Sequence, residues 1–378
     1  MDTIKLSEKI NHHCRRFFGT AEMMIPADEQ IVSTGDFSRR KLLLAGAAAG
    51  LGLSFGCREG QAGASDLEPE RLVDLKTLVK EETTTTFFPG FSAESIKTSG
   101  TTIHVLRKGS GRPLLLLHGY PETHLTWHKV APQLAERFSV VVPDLRGYGD
   151  SGKPQGGERH ENYSFRAMAQ DQVDVMRHYG HERFLVVAHD RGARATHRLC
   201  LDHPESVEKA CLMDIVPTLT MYQGTNQEFA TKYMWWFFLI QPTPLPEHMI
   251  GLDPKFFLQL MFNSLNKTPG AITSDEMNEY IRAFSNPAAI HAACEDFRAA
   301  ADIDLEMDKF DEQAGKKIKC PLHVLWGGKN TVGALWDVLA TWREKCAAPV
   351  TGRALDCGHF LQEESPDDLL TELRQFLS

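Results

Sequence analysis

The sequence predicts an α/β fold, a mostly parallel central sheet flanked by helices with an inserted helical cap. Three observations predict it. Continuous apolar runs of strand length recur at 112–117, 138–143 and 183–188, as expected of strands buried on both faces. Amphipathic pattern lies between them, notably over 164–179, where Phe165, Met168, Val173 and Met176 recur near helical period. After a further strand the rhythm breaks for about a hundred aromatic-rich residues and then resumes.

Taken in order, 95–107 reads as a hairpin turning at Gly100, and 207–213 as the strand before the break. Residues 217–311 form the expected cap. They hold Met221, Tyr222, Tyr233, Trp235, Trp236, Phe256, Phe262 and Phe284, with a proline-rich turn, QPTPLPE, among them. Strands at 319–326 and 350–355 and helices at 335–345 and 366–377 complete the sheet. The core is thus expected over 91–216 and 312–378. A cap inserted at the carboxyl edge of a parallel sheet covers the place where such sheets bind ligands.

Residues 1–64 read as an export signal with an extended N-terminus, and 65–90 as a linker. Arg39 and Arg40 precede a stretch of small apolar residues, the layout of a twin-arginine signal, and the stretch is too short for a stable membrane anchor. Ala62-Gly63-Ala64 offers a cut site, with a mature start at Ser65. Cys57 fits a lipid-attachment site poorly, since Ser54 and Phe55 stand before Gly56. This predicts an exported, periplasmic protein.

Composition narrows the function classes. With 42% hydrophobic and 24% charged residues the chain can build a large core. A net charge of −9 gives no basic surface for a phosphate backbone, so a small-molecule substrate is expected and no nucleic acid. Of eight cysteines, six follow the expected cut, and none forms a C-x-x-C pair or a metal-ligand spacing. They read as small buried hydrophobes, and no metal site is expected.

The chemistry centres on Asp190. A buried strand runs straight into Ala188-His189-Asp190-Arg191-Gly192, and an alanine-rich helical pattern begins at once. This is the strand-to-helix nucleophile elbow of the α/β-hydrolase fold, with aspartate in the nucleophile position. Asp214 ends the next strand and His359 follows the last one, giving the chain order nucleophile, acid, histidine. The other place for the acid reads Gly327-Gly328-Lys329-Asn330, an amide where a carboxylate is needed, and Asp356 reads as a loop carboxylate. His118 and His189 read as structural groups that pin their loops. The backbone N–H groups of Tyr120, in the turn His118-Gly119-Tyr120-Pro121, and of Arg191 are expected oxyanion donors.

Aspartate in place of serine selects the reaction. An alkyl carbon bearing a leaving group offers no carbonyl, so the nucleophile must displace the group directly. Serine would leave an ether. A carboxylate leaves an ester that water can hydrolyse, and it is ionised at neutral pH without a base. His359 can then activate that water, with Asp214 orienting the imidazole. Arg191 and Arg194, three apart at the start of the elbow helix, share a face and suit a carboxylate-bearing substrate; the alternative is a pair of surface ion pairs.

With these residues assembled, the chain from about Phe91 onward resembles the haloacetate (fluoroacetate) dehalogenases of the α/β-hydrolase superfamily. HGYPETHLTWHKVAPQLAERF, DLRGYGDSGKP, AHDRGARATHRLCLDHP, MDIVPT, LIQPTPLPE, CEDFRA and GHFLQEE carry the likeness. It implies Asp190 as nucleophile, Arg191 and Arg194 as carboxylate clamp, Asp214 and His359 as the water-activating pair, and a homodimer without metal or organic cofactor. The halide pocket departs from the pattern. Where members that cleave C–F bonds carry consecutive His and Trp and a later Tyr, this chain has Trp235, Trp236 and Phe297. Fluoride, small and strongly hydrated, should suffer most from lost donors. The expected reaction is hydrolysis of chloroacetate or bromoacetate before fluoroacetate. An epoxide hydrolase using cap tyrosines among Tyr222, Tyr233 and Tyr280 is the nearest rival, and a non-catalytic receptor on the same fold a more distant one.

Overall fold

The computed structural model describes residues 86–378. The expected export signal, the cut at Ser65 and Cys57 lie outside them. An eight-stranded sheet runs through the middle in the order β1-β2-β4-β3-β5-β6-β7-β8. Its strands are β1 Ser92–Lys97, β2 Thr102–Lys108, β3 Arg112–Leu117, β4 Phe138–Pro143, β5 Phe184–His189, β6 Val207–Met213, β7 Leu322–Gly327 and β8 Val350–Leu355. β1 and β2 join antiparallel, and every pairing from β4 to β8 is parallel.

Burial explains the sequence pattern. All six residues of β4 and of β5 are buried, because helices cover both faces of the central strands. At the two edges, β1 is mostly exposed and β8 half exposed. Two long helices flank β5, α1 (Phe165–His178) and α2 (Asp190–Asp202). The Ser164 hydroxyl caps α1 by accepting from the Ala167 amide, a contact of the kind that contributes about 1 kcal/mol.

Between β6 and β7 the chain is helical: α3 Thr218–Gln223, α4 Gln227–Lys232, α5 Met234–Phe238, α6 Leu245–Leu252, α7 Pro254–Leu265, α8 Ser274–Phe284, α9 Pro287–Ala301 and α10 Ile303–Gln313. Phe229, Trp236, Phe262, Tyr280 and Phe297 are all buried there, which accounts for the aromatic weight of this stretch. The starts are well marked. Thr273 and Glu276 form a reciprocal capping box on α8, and Asn286 followed by Pro287 opens α9. α11 (Val338–Lys345) and α12 (Pro366–Leu377) close the fold. Among the described residues no helix is long and apolar enough to cross a membrane.

The six cysteines among the described residues are all free and buried, in keeping with their apolar contexts.

Candidate active site

Asp190 begins α2 at φ 42°, a left-handed conformation that a side-chain-bearing residue adopts only at a cost, and so the turn is a strained one. Two glycines make room for it. A Cβ on Gly192 would stand 2.5 Å from the His118 carbonyl oxygen, and one on Gly119 would stand 2.5 Å from the Cβ of Asp190. The turn after β3 therefore closes on the elbow: the Gly192 amide donates to His118 O at 3.0 Å and the Tyr120 amide to Asp190 Oδ1 at 3.0 Å. Burial opposes charge on Asp190, but the positive potential of His359, Arg194, His189 and Arg191 outweighs it and holds the carboxyl below its ordinary range. The group is a carboxylate at neutral pH.

Asp214 and His359 meet at the ends of β6 and β8. His359 Nδ1 lies 2.5 Å from Asp214 Oδ2, and the other oxygen accepts from the Gly327 amide at 2.9 Å. Asn330, the residue that excludes a carboxylate from the alternative acid position, donates its side-chain amide to the same Oδ2. Asp214 is thus aimed from two sides. Asp356 is exposed and pairs with Lys329, in accord with its reading as a loop carboxylate.

The two guanidiniums stand in different environments. Arg191 is fully buried and binds Asp296 of α9: Nε donates to Oδ2 at 2.9 Å, and Nη2 donates to Oδ1 and to the Asp296 carbonyl. Its charge lies between the rings of Phe165 and Phe297, with Nη1 left without a partner. Arg194 has no carboxylate partner. Its Nη1 reaches Val216 O and Thr218 Oγ1, its Nη2 the Met221 sulfur, and its Nε nothing. Burial pulls Arg194 down to about 10, so it stays charged at neutral pH. The surface-ion-pair alternative fails because both side chains are buried. α9 supplies an acid for Arg191 and none for Arg194.

Aromatic groups surround these charges. Trp236 lies 4.7 Å beneath the Arg194 guanidinium and edge-on to Phe297, while Trp235 packs on Tyr233 with ring centres 4.7 Å apart. Phe297 also meets Tyr120 edge to face. The hydroxyls of Tyr120, Tyr222 and Tyr233 are buried without hydrogen-bond partners, whereas Tyr280 donates to Glu363 at 2.9 Å. Burial raises Tyr222 to about 12 and lifts Tyr233 well above its ordinary value, so both keep their protons.

Sequence reasoning missed a layer behind the site. Glu122 accepts from the Gly119 amide, from Thr126 and from Gln362, and lies 2.7 Å from His189 Nδ1. Asp296 was equally unforeseen, although CEDFRA contains it. An acid four residues beyond His118 in a tight turn is the only local signal for Glu122. His118 and His189 do pin their loops. Among the described residues one grouping, His104, His124 and Asp144, brings potential metal-ligand atoms within 4.8 Å of one another. Its carboxylate is already engaged by the His124 ring and by the amides of His124 and Asp150.

Comparison with known proteins agrees with this fold. A family model described as the alpha/beta hydrolase fold matches residues 112–366. A fluoroacetate dehalogenase from a Burkholderia species is 41% identical over 292 residues, covering 77% of this chain and 95% of that protein. A soluble epoxide hydrolase from Corynebacterium sp. strain C12 is 28% identical over 299 residues, covering 74% and 95%. The crystal structure of a putative alpha/beta hydrolase from Nostoc sp. PCC 7120 superposes with a TM-score of 0.75 at 53% identity, over 77% of this chain and 99% of that one.

Proposed function

The chain belongs to the α/β-hydrolase fold family, and from that premise we propose that it hydrolyses short 2-halocarboxylates through an ester on Asp190. The observation that carries the reading is Arg194. A buried guanidinium that forms no ion pair with an acid, near an ionised aspartate on a nucleophile elbow, is provision for a substrate carboxylate.

In the first step an Asp190 oxygen attacks the carbon that bears the halogen. The carbon–halogen bond breaks, halide leaves, and the substrate becomes esterified to Asp190. Arg194, with the unpartnered Nη1 of Arg191, holds the substrate carboxylate so that this carbon faces the nucleophile. In the second step His359 takes a proton from water and the resulting hydroxide adds to the Asp190 carboxyl carbon. Asp214 supports the imidazolium that forms. The Tyr120 amide, already at hydrogen-bond distance from Asp190 Oδ1, supports the oxyanion, a contribution of about a hundredfold or more in rate for such donors. Collapse breaks the bond between the Asp190 carboxyl carbon and the substrate oxygen. His359 returns its proton to that departing oxygen, giving the hydroxy acid, and the Asp190 carboxyl loses the hydroxide's proton to solvent, which restores the carboxylate and completes the release of halide and one proton.

Chloride and bromide are expected to leave faster than fluoride, because Phe297 gives the halide no donor where a tyrosine would. Halide release from fluoroacetate, chloroacetate and bromoacetate tests the proposal. Fastest release of fluoride would overturn the preference, and release from none of them the whole reading.

One observation favours a second reading, epoxide hydrolysis. The unpartnered hydroxyls of Tyr222 and Tyr233 flank Trp236 and keep their protons, as donors to an epoxide oxygen would. Turnover of styrene oxide that is lost in Tyr222→Phe and Tyr233→Phe would support it. The proposal also includes export through the Arg39-Arg40 signal and assembly as a homodimer, which cell fractionation and light scattering test.

A further inference from the structure

His189 and His118 are both fully buried histidines beside the nucleophile, yet their hydrogen bonds demand different charges. His118 Nδ1 faces the Gly119 carbonyl at 2.8 Å and its Nε2 receives the Leu145 amide at 2.9 Å, so one ring nitrogen donates and the other accepts. That is a neutral ring with a fixed tautomer. His189 Nδ1 faces the Glu122 carboxylate at 2.7 Å and its Nε2 faces the backbone carbonyl of His359 at 2.8 Å. Both partners only accept, and the Gln362 amide nitrogen, 3.4 Å from Nδ1, is turned to the closer Glu122 and Thr126 oxygens. Both ring nitrogens must therefore carry hydrogen, and the ring is an imidazolium. Electrostatics point the same way: burial works against the charge, but Glu122 outweighs it and, with Asp190 and Asp214, raises His189 to about 9. Glu122 is itself held below its ordinary range, with burial overcome chiefly by the His189 charge.

This cation joins three loops. It is the residue before Asp190, it grips Glu122 in the turn that supplies the Tyr120 amide, and it holds the main chain of His359 with the two rings 4.4 Å apart. The charged or titratable groups around it are Glu122, Asp190, Asp214 and His359. Gln362 and Thr126 complete the shell on the Glu122 side.

We propose that His189 is a positioning residue for the second half-reaction, an imidazolium at neutral pH whose Nε2–H fixes the backbone of His359 so that its ring addresses the ester formed on Asp190. The assignment rests on the hydrolytic reading above. Direct attack by Asp190 does not use His359, so a displaced His359 leaves ester formation in place while ester hydrolysis slows. Misplacement of such a group by about 1 Å costs on the order of a hundredfold in rate.

The test uses the full chain with chloroacetate, comparing the unaltered enzyme with His189→Gln and Glu122→Gln. Both variants are expected to lose about a hundredfold in kcat with KM equal or lower, and to accumulate a carboxymethyl ester on Asp190 by intact-mass and peptide analysis. Because either substitution can impair folding, a second measurement uses the unaltered chain alone. Nitrogen-15 spectra of labelled histidine should show the buried ring of His189 with both nitrogens protonated near neutral pH. A bare ring nitrogen on His189, or folded variants with undiminished kcat, or slowed turnover without ester, overturns the assignment. No halide release by the unaltered chain would overturn the function reading and this assignment with it, whereas release with unimpaired variants would overturn the assignment alone.

Discussion

Arg191 and Asp296 form a two-point ion pair in which neither side chain is exposed to solvent. Tyr148 adds a hydrogen bond to Asp296 Oδ2 at 2.6 Å. Removing one partner of such a pair strands a buried charge and typically costs about 3–5 kcal/mol. Arg191→Gln and Asp296→Asn should therefore lower stability in chemical denaturation by an amount of this order.

Arg194→Gln should behave differently. With no ion-paired acid to strand, and with His359, His189 and Arg191 still facing Asp190, it should leave the denaturation midpoint nearly unchanged while raising KM for chloroacetate about ten- to a hundredfold, as expected for loss of a charged hydrogen bond to substrate. Steady-state kinetics beside a denaturation curve checks the split. Equal effects of the two arginine substitutions on both quantities would contradict it.

Phe297 is packed against Tyr120, Trp236 and the Arg191 guanidinium, and it carries no polar atom. Phe297→Tyr should raise the ratio of fluoride to chloride release by about tenfold, the worth of one hydrogen bond to a developing anion. Ion-selective measurement with fluoroacetate and chloroacetate reads that ratio. No change, or a fall, would mean that this position does not face the leaving group.

The His189 charge also makes a prediction about stability. Its value in the folded chain, about 9, lies above the ordinary histidine value of 6.5. A raised value contributes stability fully below the unfolded value, and that contribution is lost as pH rises through the folded one. The melting temperature should therefore fall as pH increases from 6.5 toward 9, more steeply in the unaltered chain than in His189→Gln. Thermal unfolding across that range checks it.

Much of the sheet was legible because continuous apolar runs leave little choice. The strands at 112–117, 138–143, 207–213 and 350–355 lie where the pattern puts them. The elbow was legible for a similar reason, since Ala188 and Gly192 bracket an aspartate at a strand end. The layer behind the site was not. Glu122, Gln362 and Asp296 act through contacts that span about a hundred positions or more of chain, or depend on one turn closing on another, and no local periodicity encodes them. Asn330 shows the limit most clearly: its residue type excludes it as the acid, but only the fold brings its amide to Asp214.

The central claim is that Asp190 becomes esterified and His359 releases it. Intact-mass and peptide analysis of His359→Gln incubated with chloroacetate tests this most directly. The account predicts a carboxymethyl ester that accumulates on the peptide containing Asp190, with about one equivalent of chloride released and little turnover thereafter. A variant that turns over at the unaltered rate, or one that releases chloride while Asp190 stays unmodified, would contradict it.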